Sequence, residues 1–440
     1  MRIDIVLLRI MGYNGNTSRG RTKSTPPFFL LIRGYIIIKT HKKSILLFIL
    51  STVILGILLF NIVLYFILPK PDYEYRQLSL PDNFTLPDAR VIAIGTATHG
   101  NAEPFDITLE MLKKIKEERG HVAFVLEEQV GDGAIINQIH SFYDNERKRP
   151  IGFHGLYNND EMDRLLSWIE SENVNFYGVD IQHIYQSIEV INKFLNEKGY
   201  SDIDVKALSS NALEYKKEIN KKTIEKIENI LNKLLKNKSI EEREFDYISH
   251  MLSSIRMNYE YKLAKGLETG NVRDRMMAEN VLWVMEHELK YYGNENILIL
   301  AHNGHIMNDN SILTVMNLRS ISIGHHLSNY LGDDYYAIVT EAKKNSFLAS
   351  NSILRTKEFS IERTGSLIDI IGTESPDIKY CTSEYLKQAG ISEWKLTMIG
   401  NIFNKLLTFA PVLYERDINV EDCFDAMLYF DQLTPNNQKK

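Results

Sequence analysis

The sequence predicts an α/β protein: a mostly parallel sheet with helices on both faces, interrupted by a helical insertion and preceded by one N-terminal transmembrane helix. Three observations carry this expectation. Near-continuous apolar runs alternate with helix-period patterns over residues 89–183 and again over 271–440, the pattern of a sheet buried on both faces. Residues 184–270 between them contain no convincing strand. Ser44–Leu68 is a run of 25 residues without a charge.

Taken in order, residues 1–43 read as a basic cytoplasmic tail. Residues 1–70 carry ten Lys/Arg against Asp4, a net of +9. The whole chain of 440 residues is at −6, which leaves −15 for the body. The 44–68 segment is long enough to span, because roughly 20 residues at about 1.5 Å each cross a hydrocarbon core of ~30 Å. Lys39, Lys42 and Lys43 stand just before it, whereas Lys70, Asp72, Glu74 and Arg76 cancel just after it. The positive-inside rule then keeps the N-terminus in the cytoplasm and places the body outside from about Pro69. A cleaved signal peptide has a shorter apolar region, about 7–15 residues, and an A-x-A-like site after it, which is missing here. The expectation is an uncleaved, single-pass anchor in the cell membrane.

Residues 69–88, with Pro71, Pro81 and Pro87, form a linker. Strands are expected at Arg90–Gly95, His121–Leu126, Val174–Val179, Ile297–Leu300 and Tyr336–Thr340. Ile107, Met111, Leu112 and Ile115 mark one face of a helix over Pro104–Glu118, and another helix falls around Asp160–Glu170. In the insertion, Ile224, Ile227, Ile230, Leu231 and Leu234 follow helical spacing, giving a helical hairpin or small bundle. Asn271–Glu286 is a further helix. The last ninety or so residues mix helix and strand signals.

Composition excludes several classes. Hydrophobic residues at 44% and charged residues at 25% are globular, not disordered or fibrous. Two cysteines, Cys381 and Cys423, are too few for a disulfide scaffold or a four-thiolate zinc site. An acidic body argues against nucleic acid as the main partner.

In parallel sheets, ligands bind beyond the carboxyl ends of the strands. The residues just beyond each expected strand are therefore informative: His99 after the first, Glu127 and Glu128 after the second, Asp180 after the third, and His302 and His305 after the fourth. Each alone has a plain structural explanation, as a hydrogen-bonded histidine, a first-turn acid or a turn residue. Together they bring three imidazoles and three carboxylates to one edge, which suits hydrolysis. A histidine titrates near neutrality and can take a proton from water, a carboxylate can orient it, and a second imidazole can stabilise an oxyanion or protonate a leaving group. No G-x-S-x-G, H-E-x-x-H, P-loop or G-x-G-x-x-G occurs. On the helix over 271–286, Arg273 either binds a substrate carboxylate or pairs with an acid such as Glu279; spacing favours the pair.

These residues resemble the erythromycin esterases. The family's G-E-x-T-H-G signature stands here as Gly95-Thr96-Ala97-Thr98-His99-Gly100, followed by Asn101 and Glu103. AFVLE ending at Glu127, YGVDIQ (177–182), RDRMMAEN (273–280), AHNGHI (301–306) and FDAMLYFDQLTP (424–435) are similar blocks in the same order. The resemblance implies hydrolysis of an ester or macrolide lactone by activated water, without a cofactor. His99 would be the general base, helped by Glu127, with His302 and His305 lining the site. Thr96, Glu103, Asp180 and Arg273 are the candidate substrate-binding residues, and no metal ligand is assigned. Two departures stand out: the signature's Glu is Thr96, and the basic residue nine positions after its His is Thr108. Either would alter substrate or efficiency more than fold. Alternatives of the same superfamily are a metal-dependent, peptidase-like hydrolase with His99, Glu127, His302 and His305 as ligands of a divalent ion, and a non-catalytic ligand-binding protein.

Overall fold

The computed structural model describes residues 48–52, 55–56, 59–60, 75, 77–137, 155–209, 217–309, 311–313, 318–351, 356–363 and 378–438. The chain divides into two units, Met1–Leu68 and Pro69–Lys440. In the first, the described residues between 48 and 60 are helical, with Phe48, Leu55 and Phe60 exposed. The 1–43 tail and most of the 44–68 segment lie outside the described residues. Among those described, no helix is long and apolar enough to cross a membrane.

The second unit is built on β1 (Val91–Thr96), β2 (Ala123–Gln129), β3 (Asn175–Asp180), β4 (Ile297–His302), β5 (Ser311–Leu313), β6 (Leu318–Ser320), β7 (Tyr335–Ser350), β8 (Thr356–Glu362), β9 (Ile378–Thr382), β10 (Glu393–Thr397), β11 (Glu415–Asn419) and β12 (Ala426–Leu433). Eight of these form one sheet in the order β3-β2-β4-β1-β7-β12-β9, with β8 beside β7. All pairings from β3 through β12 along that order are parallel; β9 and β8 join antiparallel. β5–β6 and β10–β11 are separate two-stranded pairs.

Successive side chains of each central strand enter different cores, because a strand alternates its faces. Val91 and Ala93 of β1, Val125 of β2 and Ile299 of β4 face one cluster. Their neighbours Ile92, Ile94, Leu126 and Leu300 face the other. Helices cover both. α1 (Glu103–Arg119) and α3 (Asp160–Ser171), separated in sequence by the short α2 (Val130–Ile136), lie on the second face through residues such as Met111, Leu112, Leu165 and Ile169. α4 (Tyr185–Glu197), α5 (Lys217–Lys236), α6 (Glu242–Leu263), α7 (Leu267–Tyr292) and, after the four-residue α8 (Asn303–Ile306), α9 (Ile323–Leu331) cover the first face. The 184–270 insertion is helical in its described parts. Its apolar stripe shares one core with the sheet: Ile191, Phe194, Ile227, Leu231, Ile248 and Met251 cluster with Val91 and Ile299.

Local chemistry sets the helix ends. Asn159 caps α3 by accepting from Met162 N at 2.7 Å, and Asp160, Glu161 and Asp163 fill its first turn, where acids favour the helix dipole. α1 begins with Glu103 and Pro104 and ends at Gly120, whose φ of 83° a side chain would resist. Cys381 and Cys423 are buried free thiols.

Candidate active site

β1 and β4 pair so that Thr96 faces His302 in register. The chain after β1 must therefore turn away beside the chain after β4. Two glycines make room. A Cβ at Gly95 would lie 2.3 Å from Asn303 Oδ1, and one at Gly100 would lie 1.9 Å from Leu348 O. Asn303 uses the space: its Nδ2 donates to Thr340 O at 2.9 Å and its Oδ1 accepts from Thr340 N at 3.1 Å. The asparagine of the AHNGHI block is thus a clamp between β4 and β7. β2 carries an irregularity between Leu126 and Gln129 where it meets β3. Such bulges re-aim side chains, and Glu127 lies in this one.

Glu127 is the hub. Its Oε1 accepts from Arg273 Nη2 at 2.8 Å and its Oε2 from the backbone N–H of His302 at 3.0 Å. His305 Nε2 lies 3.3 Å from Oε1. Arg273, on the inward face of α7, also donates to both oxygens of Asp180, each at 2.9 Å. Asp180 further accepts from Gln182 N at 3.1 Å, which fixes the turn after β3. On the other side of His305, Nδ1 lies 2.5 Å from Asp274. Asp180 and Asp274 are buried and Glu127, Arg273 and His305 largely so, and protonation follows the company each one keeps. Burial opposes the charge on His305, but Asp274 and Glu127 more than reverse this and raise it to about 10. Its two ring nitrogens then donate to the two carboxylates. Arg273 Nη1, 3.1 Å from Nε2, becomes a like-charged neighbour bridged by Glu127. Burial likewise opposes ionisation of Glu127, yet His305, His99 and Arg273 hold it well below the usual range.

His302 is pushed the other way. Burial first, then the nearby charge of His305, lowers it to about 4. Its Nε2 lies 3.2 Å from Ile399 O and its Nδ1 accepts from Gly304 N at 3.3 Å. A carbonyl can only accept, so the proton sits on Nε2. The rings of His99, His302 and His305 form a row, with centroids 5.4 and 6.2 Å apart. His99 Nδ1 is 2.8 Å from the hydroxyl of Tyr157.

The structure therefore gathers His99, Glu127, Asp180, Arg273, His302 and His305 at one edge. Asp180 and Arg273 are bound to each other there. The acid expected beside Arg273 is not Glu279: Glu279 pairs with Arg275 at 2.5 Å, on the exposed side of the same helix. Glu103 is turned elsewhere, accepting from Thr434 N at 3.0 and 2.9 Å and from Thr434 Oγ1 at 2.6 Å. Burial, partly offset by these bonds, raises it to about 7. Thr96 is buried, with no hydrogen-bond partner for its Oγ1 among the described residues, and Thr108 Oγ1 returns to its own helix at Pro104 O, 2.7 Å away. Neither threonine places a charge at the site. Sequence patterns gave Tyr157 and Asp274 no role. Asp274 had a signal, as an acid beside an arginine on a helix whose other face is apolar; Tyr157 had none.

Glu127 and Asp180 already face a guanidinium, and among the described residues no group of three or more His, Cys, Asp or Glu side chains is placed to hold an ion.

Comparison with known proteins bears on what such an edge does. A Bacillus cereus protein of known structure superposes with a TM-score of 0.62 at 20% identity, over 80% of this chain and 90% of its own. A succinoglycan biosynthesis protein gives 0.61 at 18% identity, over 80% and 90%. A variant of the erythromycin esterase EreC in its open conformation gives 0.53 at 15% identity, over 79% and 92%. These likenesses concern the fold. In sequence, erythromycin esterase type II of Escherichia coli is 22% identical over 316 residues, covering 62% of this chain and 73% of that protein. The family model described as erythromycin esterase matches residues 116–433, most of the body. The chain belongs to the erythromycin esterase family.

Proposed function

We propose that the protein is a carboxylic-ester hydrolase cleaving an ester or macrolide-type lactone with water activated by His99. One observation carries the reading: two neighbouring imidazoles at a strand edge beside His99 keep opposite company, His305 between the carboxylates of Asp274 and Glu127 and His302 between Ile399 O and Gly304 N, which favours opposite protonation states. Separated protonation states assign acid and base roles within one site. His302 is neutral and tied to backbone, so it walls the site. His305 arrives protonated, set between Asp274 and Glu127, and favours negative charge beside it. His99 is the base. It takes a proton from water, the hydroxide adds to the carbonyl carbon, and the carbonyl electron pair moves to oxygen. When the tetrahedral species collapses, the alkoxide leaves with the proton from His99. Glu127 and Arg273 serve by positioning: the first fixes His302 and His305, the second holds Glu127 and Asp180 together.

The uncharged side chains of Thr96 and Thr108 support a substrate other than a 14-membered macrolide. The uncharged 44–68 span, with its basic N-side, supports an anchored body outside the membrane. The test uses purified full-length protein against simple esters, lactones and erythromycin. Turnover of a non-macrolide ester should exceed that of erythromycin. His99→Ala should stay folded and lose about 10²–10⁴ in rate. A folded His99→Ala with undiminished turnover would sink the mechanism.

A further inference from the structure

Tyr157 reaches His99 from a distant part of the chain. Its side chain is 2% exposed, and its hydroxyl lies 2.8 Å from His99 Nδ1. Burial first, then Glu127 and Glu128, hold the phenol well above its ordinary pKa, so it is neutral. Both partners are fixed from one place. Asn436 Nδ2 donates to the carbonyl of His99 at 3.3 Å and to that of Leu156, next to Tyr157, at 2.8 Å. The backbone N–H of Asn436 donates to Gly100 O at 3.0 Å. Asn159 Nδ2 makes a second bond to Leu156 O at 2.8 Å, and Phe105 meets the Tyr157 ring edge-on at 5.7 Å. A contact braced on both sides in this way is held in one geometry.

A neutral imidazole has one N–H and one basic lone pair. With Tyr157 at Nδ1, a His99 that acts on water does so through Nε2, and its own proton then belongs on Nδ1. We propose that Tyr157 is a positioning residue for the water-activation step: its hydroxyl oxygen accepts the Nδ1–H of His99 and holds the ring in the tautomer and orientation that leave Nε2 basic. This rests on the reading of His99 as the base. When Nε2 takes the proton from water, the hydroxide adds to the carbonyl carbon. The imidazolium keeps its Nδ1–H bond to Tyr157 until the Nε2 proton passes to the departing alkoxide. A bond donated by a charged group is stronger than one from a neutral group. Its benefit therefore falls on the transition state and not on substrate binding.

The experiment uses full-length protein labelled with ¹⁵N-histidine, with the His99 signals assigned by their loss in His99→Ala. Wild type should show His99 protonated on Nδ1 in its neutral form. In Tyr157→Phe, which keeps the ring and its packing, the proton should move partly or wholly to Nε2. The same variant should lose about 10–100-fold in kcat with KM changed less than about twofold. A purely structural role would leave the tautomer alone. Wild type found with the proton on Nε2 overturns the proposal even if Tyr157→Phe does not fold, and so does a folded variant with an unchanged tautomer. If the tautomer shifts as expected but no ester is hydrolysed by wild type, the contact stands and the hydrolase reading fails.

Discussion

His305 and Glu127 each owe part of their charge to the other: Asp274 and then Glu127 hold the imidazolium, and His305, with His99 and Arg273, holds the carboxylate. The imidazole would lose its proton in so buried a place, and the carboxylate would gain one, if either stood alone. This has a consequence for stability against pH. His305 is raised to about 10 in the fold against an unfolded value near 6.5, so its contribution is whole below about 6.5 and is lost as pH rises through about 10. Glu127 is depressed, so its contribution is present above about 4.5 and is lost as pH falls through its folded value. Thermal unfolding of wild type should therefore weaken steadily between pH 7 and 10. His305→Asn should be less stable at pH 7, because Asp274 and Glu127 lose a cation, but its decline over that window should be much shallower. Equal slopes in the two proteins would mean that His305 is not the titrating group.

At the scale of elements, α1 starts with a carboxylate that caps another part of the fold. Glu103 holds the N–H and hydroxyl of Thr434, just past β12, while burial raises its pKa to about 7. The protonated form is the one the fold favours, so this group costs stability as pH rises from about 4.5 through about 7. Glu103→Gln keeps an acceptor for Thr434 and removes the buried charge. It should melt at or above the wild-type temperature at pH 8 and show a flatter profile between pH 4.5 and 7. A clearly lower melting point at pH 8 would show that the ionised carboxylate is required.

Glu103 also shows where reading the sequence stops. Its four-residue distance from His99 suggests a shared site, but the helix start turns it toward Thr434. The central strands were legible because a strand buried on both faces is apolar throughout. The polar edge was legible because each of its residues comes directly after such a run. Arg273 and Arg275 were harder: two residues apart on a helix, they point to opposite sides, one to Asp180 and one to Glu279. Tyr157 and Asn436 carried no local pattern, since their meaning lies in contacts 58 and 337 residues away along the chain. The antiparallel β8 and β9 were likewise hidden among mixed signals.

For the molecule as a whole, the charge split and the uncharged span support an acidic body and a basic tail on opposite sides of a membrane. Protease added to intact cells should then remove the body from about Pro69 onward and leave the tail protected. A body that survives on intact cells but is digested after lysis would refute that orientation.

Asn436 joins the loop of His99 to the loop of Tyr157, and Gly100 shares its carbonyl between Leu348 N and Asn436 N. Synthesis runs from the other end. A nascent chain of four hundred residues already carries every imidazole and carboxylate of the edge, yet it lacks β12 and Asn436. Such contacts between distant parts of a chain form late, after the closure entropy has been met. On the proposed reading, then, His99 is not held in its working geometry until synthesis has passed Asn436, however early the rest of the edge was made.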